Sequence, residues 1–536
     1  MIMNKLLIII LLLFFCFGFS QKNSFYGAFE SNAVYYSQNE SKDFEKKLKS
    51  NNYFNLNYLI GNKWKFDLQL ESYLPGRLQN FSDNLEDTYL STLSINYKTN
   101  RFDFSVGSIY EQFGSGLILR TWEDRQLGIN NSIWGFRTKY ESDYINLKLL
   151  AGYQKKGREI STGKIIGLDS EILLNENFQV GLSYLGRYEN ITYDFGDFTN
   201  LFSSRVDYNS DSFYMNYEYI SKSKDGIVQF GNVSENFVKP GSAHSLNFGI
   251  YKSGFGFDMT FRRLENMGYF SDRFEASGDY LETSINYLPA LTKQHDYLLS
   301  NINVYEAQPY VSFQDPKLMK AGEIGFQLDL FYNFEKGSPL GGKYGTKLSF
   351  NSSLWNNLGG DFSYSSQDYT TSFFDFGEKY FSEQSLEISK KVSKDYNYIL
   401  LFINRYYNKR LVEERTGEVN SKIFVVDNTL KLNNKRSIKF DVQHLFNSDD
   451  DKNWFGYGIE YNLNYNLSLY YSNIKNYQNS EKGKPSYYST GISYSKNTTK
   501  IIASYGKQRG GLICYGGVCR YVPEFKGFSI SLNTTF

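Results

Sequence analysis

Large apolar residues fall on every second position through much of this chain, in short runs separated by turn residues. Trp64, Phe66, Leu68 and Leu70 alternate with Lys65, Asp67, Gln69 and Glu71, giving one apolar face and one charged or amide face. A period of two predicts strands, and the contrast between the faces predicts that each strand divides two environments. The pattern recurs in pairs around tight turns. Leu93, Ile95 and Tyr97 lead through Lys98-Thr99-Asn100 to Phe102, Phe104 and Val106. Leu246, Phe248 and Ile250 lead through Ser253-Gly254 to Phe255, Phe257 and Met259. Turns of the same kind sit at 61–62, 141–143, 175–177, 209–211, 393–395, 433–435 and 497–499.

Longer stretches lie between these turns, at 75–87, 111–131, 155–163, 186–204, 222–240 and 265–278. Short and long connections are therefore expected to alternate. That is the habit of outer-membrane barrels, whose periplasmic turns are short and extracellular loops long. The same phase decides the stretch 343–366, which reads as one long strand with an irregularity at Gly359-Gly360 rather than as a hairpin. The fold expected is all-β, a transmembrane antiparallel up-and-down barrel of about 26 strands (roughly 22–28), both termini periplasmic. A lumen that wide cannot be filled by side chains. The first strand (25–36) starts close to the N-terminus, and no internal segment reads as a folded plug. The lumen is then open, closed by infolded loops or occupied by another protein.

The last strand, 527–536, carries Phe528, Ile530, Leu532 and Phe536 on its apolar face and small polar residues on the other. A strand ending on an aromatic resembles the assembly signal of outer-membrane barrels, and it is expected to pair with 25–36 and close the sheet. At the other end, Lys5 and an apolar run over 6–19 predict a signal peptide at 1–20, leaving 21–536 as a single barrel domain. The run is too short to favour a spanning helix.

Composition narrows the classes. The chain has 47 Tyr, 45 Phe, 8 Pro and a net charge of +1, with a mean hydropathy of −0.47. An exported chain that is hydrophilic on average and rich in aromatics is either a secreted all-β protein or a membrane barrel. Near-neutral charge argues against a nucleic-acid partner.

Candidate chemistry is sparse. Cys514 and Cys519 flank Gly516-Gly517 in a compact hairpin that would place them opposite each other, suiting a disulfide; a metal or redox CxxxxC site is the alternative. The loop 111–131 is glycine-rich with an apolar centre, and Arg120, Glu123, Asp124 and Arg125 could line a pore constriction or be solvated ion pairs. Asp449-Asp450-Asp451 is read as a solvated turn rather than a Ca²⁺ site. His244, His295 and His444 are read as lumen or rim residues, since nothing nearby resembles a nucleophile motif. No enzyme activity, cofactor or metal is expected.

Six segments together carry a resemblance: 25–32 (FYGAFESN), 110–131, 286–295 (NYLPALTKQH), 337–346 (GSPLGGKYGT), 442–454 and 506–523 (GKQRGGLICYGGVCRYVP). They resemble an uncharacterised family of outer-membrane β-barrel proteins of the Bacteroidota, a domain of unknown function. The resemblance implies fold and location and is silent on chemistry. The expected partners are outer-membrane lipid and lipopolysaccharide, the barrel-insertion machinery, and other envelope proteins in the lumen or at the rim. Two roles follow: a barrel subunit of an envelope protein-export or assembly complex, or a porin-like solute channel with 111–131 as its constriction.

Overall fold

The computed structural model describes residues 23–39, 46–79, 81–190, 196–229, 232–273, 283–308, 320–363, 365–366, 368–413, 417–448, 452–479, 483–515 and 518–536. Their dominant element is one antiparallel sheet of 24 strands. Each strand pairs with its neighbours in the barrel, and the sheet closes where Asn23–Asn39 meets Phe525–Thr535. In that seam Ala28 faces Thr535 and Tyr36 faces Gly527. Closure leaves no edge strand, so no row of backbone N–H and C=O groups is left unpaired at the sheet margin.

The alternation seen in the sequence maps onto the two faces. Trp64 and Leu70 are exposed on the outer face, whereas Gln69 and Glu71 are buried on the inner one. Phe136, Leu149, Ile166, Leu182, Phe202, Phe424, Phe440 and Ile459 continue the exposed apolar exterior around the barrel. An apolar outer surface of this extent would be untenable in water and suits a bilayer.

Three expectations are corrected. The sheet has 24 strands rather than about 26, because no described residue between Glu265 and Gly322 joins it. The stretches 155–163 and 222–240 are largely strand: Ile145–Lys156 turns directly into Glu159–Leu173, and Phe213–Gln229 is followed by Asn232–Lys252. The backbone there satisfies itself by continuing the ladder through register shifts at Tyr153/Lys155, Lys222/Asp225 and Gly226/Val228. One connection on the tight-turn side is long, between Phe334 and Thr346. The reading of 343–366 as one strand holds: Thr346–Ser363 is continuous, with register shifts between Trp355 and Gly360. Residues 1–22, including the expected signal peptide, lie outside the described residues.

The inner face is not uniformly polar. Leu150, Ile165, Leu185, Leu201, Ile220, Ala243 and Leu264, on successive strands, form an apolar arc facing the lumen. Leu401, Ile403, Ile423, Val425 and Leu445 form a second arc further round. Apolar side chains lining a water-filled tube would be unfavourable by about 1.5–3 kcal/mol each relative to burial. Both arcs are covered by the chain itself.

Candidate functional site

The first cover is the connection between Phe102–Ile109 and Ile133–Glu141, which folds inward through two miniature ladders, Gln112–Phe113 with Leu119–Arg120 and Glu123–Asp124 with Ile129–Asn130. Phe113, Leu117, Ile118 and Leu119 pack into the first apolar arc. Gly114 has φ 52°, and a Cβ there would come within 2.6 Å of Arg205 and 2.7 Å of Glu218, so only glycine lets the backbone approach the wall this closely. Of the four candidate constriction residues, Glu123 and Arg125 come together as an ion pair at 3.2 Å, and Arg120 and Asp124 lie apart from them. Arg125 crosses to the first strand, 2.9 Å from Glu30, and stands over the Tyr53 ring. Gln69 donates to Glu123 at 2.7 Å. Arg120 instead stacks 4.0 Å above the ring of Tyr287. Asp124 accepts the backbone N–H groups of Gln126 and Leu127 and so caps a local turn.

The second cover is the described part of the connection 266–321 (266–273, 283–308 and 320–321), which enters the lumen as an infolded loop, one of the three alternatives left open by the sequence, rather than as a folded plug. Asn286 donates to the carbonyls of Met267 (2.7 Å) and Leu117 (3.2 Å), joining this segment to the first. Beyond it, residues 291–302 run across the inner wall as a strap, with alternate residues tied to different strands. Trp355 donates to the Leu291 carbonyl at 2.9 Å. Lys293 lies 3.1 Å from Asp329, and His295 lies 3.2 Å from Glu383. Tyr297 donates to Asp427 at 3.1 Å, and the Leu299 N–H donates to Gln443 at 2.9 Å. Arg405, paired with Glu383 at 2.6 Å, donates to the carbonyls of Ser300 and Ile302 at 2.8 and 2.6 Å. Beyond the strap, Tyr305 stacks on Trp355 and Phe381 and donates to Glu323 at 2.6 Å.

These ties differ in strength. Lys293 and Asp329 are 46% and 33% exposed, so that pair contributes about 0–1 kcal/mol. Leu299 and Ile302 are buried in the second apolar arc, and each adds about 1.5–3 kcal/mol. Apolar seating therefore holds the strap, while buried Arg405, held by buried Glu383, fixes its position by donating to backbone carbonyls.

Three residues of the strap face the other way. Gln294, Asp296 and Leu298 are exposed and border a cavity of about 500 Å³. Across it stands the wall made by Leu467–Asn476, Ser486–Lys496, Thr499–Gln508 and Phe525–Thr535, which contributes Ser472, Ser489, Ser504 and Ser529. These serines are only half-buried, whereas Ser353, Ser421 and Gln443 are buried on the strap side. A second cavity of about 540 Å³ lies near the tight-turn end, bordered by Lys65, Asp67, Asn96, Asp103 and Arg137. The interior is thus filled along one side and polar and accessible along the other.

The remaining candidates are scattered. Cys514 pairs with Cys519 across the last hairpin, and Cys519 is buried; the Cys514 side chain, Gly516-Gly517 and Asp449-Asp450-Asp451 lie outside the described residues. Of the histidines, His295 is in the lumen as expected. His244 and His444 lie outside the lumen, on the outward face, His244 against Tyr219 and Phe373 and His444 against Phe446 and Phe455, so the lumen half of the lumen-or-rim expectation fails for these two. Among the described residues no group of three or more His, Cys, Asp or Glu could hold a metal ion. Sequence reading missed Glu383, Arg405 and Glu323, because an inward polar residue looks alike whether it meets water or chain. A usable signal existed at 399–403 (ILLFI) and 423–426 (IFVV), apolar on both faces, which implies burial on both.

A model of the Family of unknown function (DUF6029) matches residues 3–536. No curated protein matches the chain. Among solved structures, the P pilus usher (PapC) translocation pore is similar at a TM-score of 0.44 and 8% identity, covering 96% of this chain and 99% of that one. The siderophore receptor PirA from Pseudomonas aeruginosa is similar at 0.44 and 7%, covering 97% and 81%. A BenF-like porin from Pseudomonas fluorescens Pf-5 is similar at 0.37 and 11%, covering 80% and 98%. Likeness at this level carries no argument about role.

Proposed function

The chain belongs to that family of unknown function, which assigns it no activity, and from the shape of its interior we propose that it is a non-enzymatic, porin-like channel of the outer membrane for small polar solutes. The observation that carries this reading is the division of the lumen, filled by 110–132 and the described residues of 266–321 on one side and lined by half-buried serines on the other. The apolar exterior supports the membrane setting, with outer-membrane lipid and lipopolysaccharide around it and the barrel-insertion machinery as assembly partner. The competing role, a barrel subunit of an export or assembly complex, drew its motive from a lumen that needed another protein to fill it. The strap fills part of that lumen from within the chain, which favours the channel reading.

The reading is tested by recording purified protein in planar bilayers, intact and with 288–308 replaced by a short Gly/Ser linker. The intact barrel is expected to conduct weakly and the linker variant several-fold more. Silence from both, with other envelope proteins co-purifying in fixed ratio, would return the export-complex reading to first place.

A further inference from the structure

The barrel closes, but one of its ladders stops short. Phe102–Ile109, with 8 residues, is the shortest strand of the 24-stranded sheet. A tilted strand needs about 9–11 residues to cross the apolar layer. The register of Phe102–Ile109 with Thr88–Lys98 runs only from Lys98, opposite Asp103, to Ser94, opposite Gly107. There the two strands part. Gly107 has φ 105°, a conformation that favours glycine, and a Cβ on it would come within 2.1 Å of the Leu93 carbonyl oxygen. The Leu93 N–H donates to the Ser108 hydroxyl at 3.3 Å instead of to a carbonyl. After Ile109 the chain folds inward, so the stretch 88–93 keeps a strand neighbour on one side only.

Side chains close what the ladder leaves open. Arg158, between Ile145–Lys156 and Glu159–Leu173, stands 5.6 Å from the Tyr89 ring and 3.1 Å from Glu86, and Lys155 stands 5.8 Å from the same ring. Arg158 and Glu86 are both exposed, and exposed pairs hold weakly. On the inner side, the cavity of about 540 Å³ starts at the tight turn 61–63 and reaches the break, where Ser94, Ser105, Ser108, Ile109 and Tyr110 border it. On the outer side Leu90, Val106, Tyr110 and Trp134 are exposed. Tyr110 belongs to both sets, its hydroxyl donating to Asn130 at 3.0 Å. Backbone outside a ladder is tolerated at membrane depth where it lines a polar space that holds water, and the cavity supplies one.

We infer that this break is a lateral port between the inner cavity and the outer half of the bilayer, and that it takes a single-chain amphiphile. The polar head sits among Asp67, Asn96 and Arg137, which border the cavity, and the chain passes out between Leu90 and Val106. An apolar chain that leaves sideways never exposes its methylenes to water, as passage along the barrel axis would require. This goes beyond the axial channel proposed above and does not depend on conduction.

The test uses full-length protein in lipid vesicles, photolabelled with a diazirine derivative of lauric acid and mapped by mass spectrometry. Labelling at 88–93 and 105–110 is expected to exceed that at the lipid-facing Phe440, Val442 and Ile459 several-fold, and to fall when unmodified lauric acid is added in excess. Joining the parted strands through a disulfide in Leu93→Cys/Ser108→Cys should abolish the competed labelling, and reduction should restore it. Tyr110→Ala, which empties the junction, should raise it. Heat-shifted migration of unboiled samples confirms that each variant is folded, and planar-bilayer currents recorded in parallel report on the axial channel.

Even labelling around the barrel that excess lauric acid does not reduce would overturn the inference, whatever the currents. So would competed labelling that neither variant alters. A silent barrel with competed labelling at the break would sink the channel reading and leave the lateral port standing.

Discussion

Arg405 and Glu383 show how a few buried charges position a segment that apolar contact alone would leave free to slide. The guanidinium is satisfied by one carboxylate and by the carbonyls of Ser300 and Ile302. Glu383→Gln removes the counter-charge and leaves a buried cation, a change that costs about 3–5 kcal/mol where relaxation is limited. The expected outcome is a strap that detaches while the barrel persists, seen as proteolytic cleavage within 288–308 and larger, noisier single-channel currents. Glu306 gives a pH handle on the same segment: burial, with Glu413 adding to it, pushes its carboxyl up to about 7. A raised acid favours its neutral form when docked, so docking is strongest below the ordinary carboxylate range and weakens as pH rises through about 7. Current noise should accordingly grow with pH in the intact protein, and Glu306→Gln should flatten that dependence. Equal pH dependence in both would rule out this carboxyl as the source.

Strands, turns and the strap differ in what their residues disclose. The strands were legible because each lies between two environments, and period-two alternation records that division residue by residue. The closing seam was legible too, although its detail was not. Gly27 exchanges two backbone hydrogen bonds with Phe536, and a Cβ on Gly27 would come within 2.5 Å of the Phe536 ring. Gly27→Val should therefore slow barrel assembly more than Phe536→Ala, which loses only the ring contact with Phe54; the rate of appearance of the heat-shifted band measures both. In the last hairpin the register brings Cys514 opposite Cys519. We propose a disulfide there, expected as a mass deficit of two hydrogens in non-reduced protein; full alkylation without reductant would exclude it. The strap escaped notice because its alternation, Lys293 to Leu299, has the same period as a strand, while its partners are four different strands rather than one neighbour.

For the barrel as a whole, the alternating pattern determined that the chain forms strands, which face of each is apolar, and that the ends of the sheet meet. All of this follows from local chemistry, since a side chain's polarity states the solvent it will meet. Only the tertiary structure decided what occupies the interior. The runs at 399–403 and 423–426 say that both faces are buried but cannot say by what, because Leu299 and Ile302 arrive from a distant part of the chain. The division of the lumen into a filled side and a serine-lined side depends on where the described residues of 266–321 land. That placement is fixed by long-range apolar burial and a few buried charges, none of which leaves a periodic trace in the sequence.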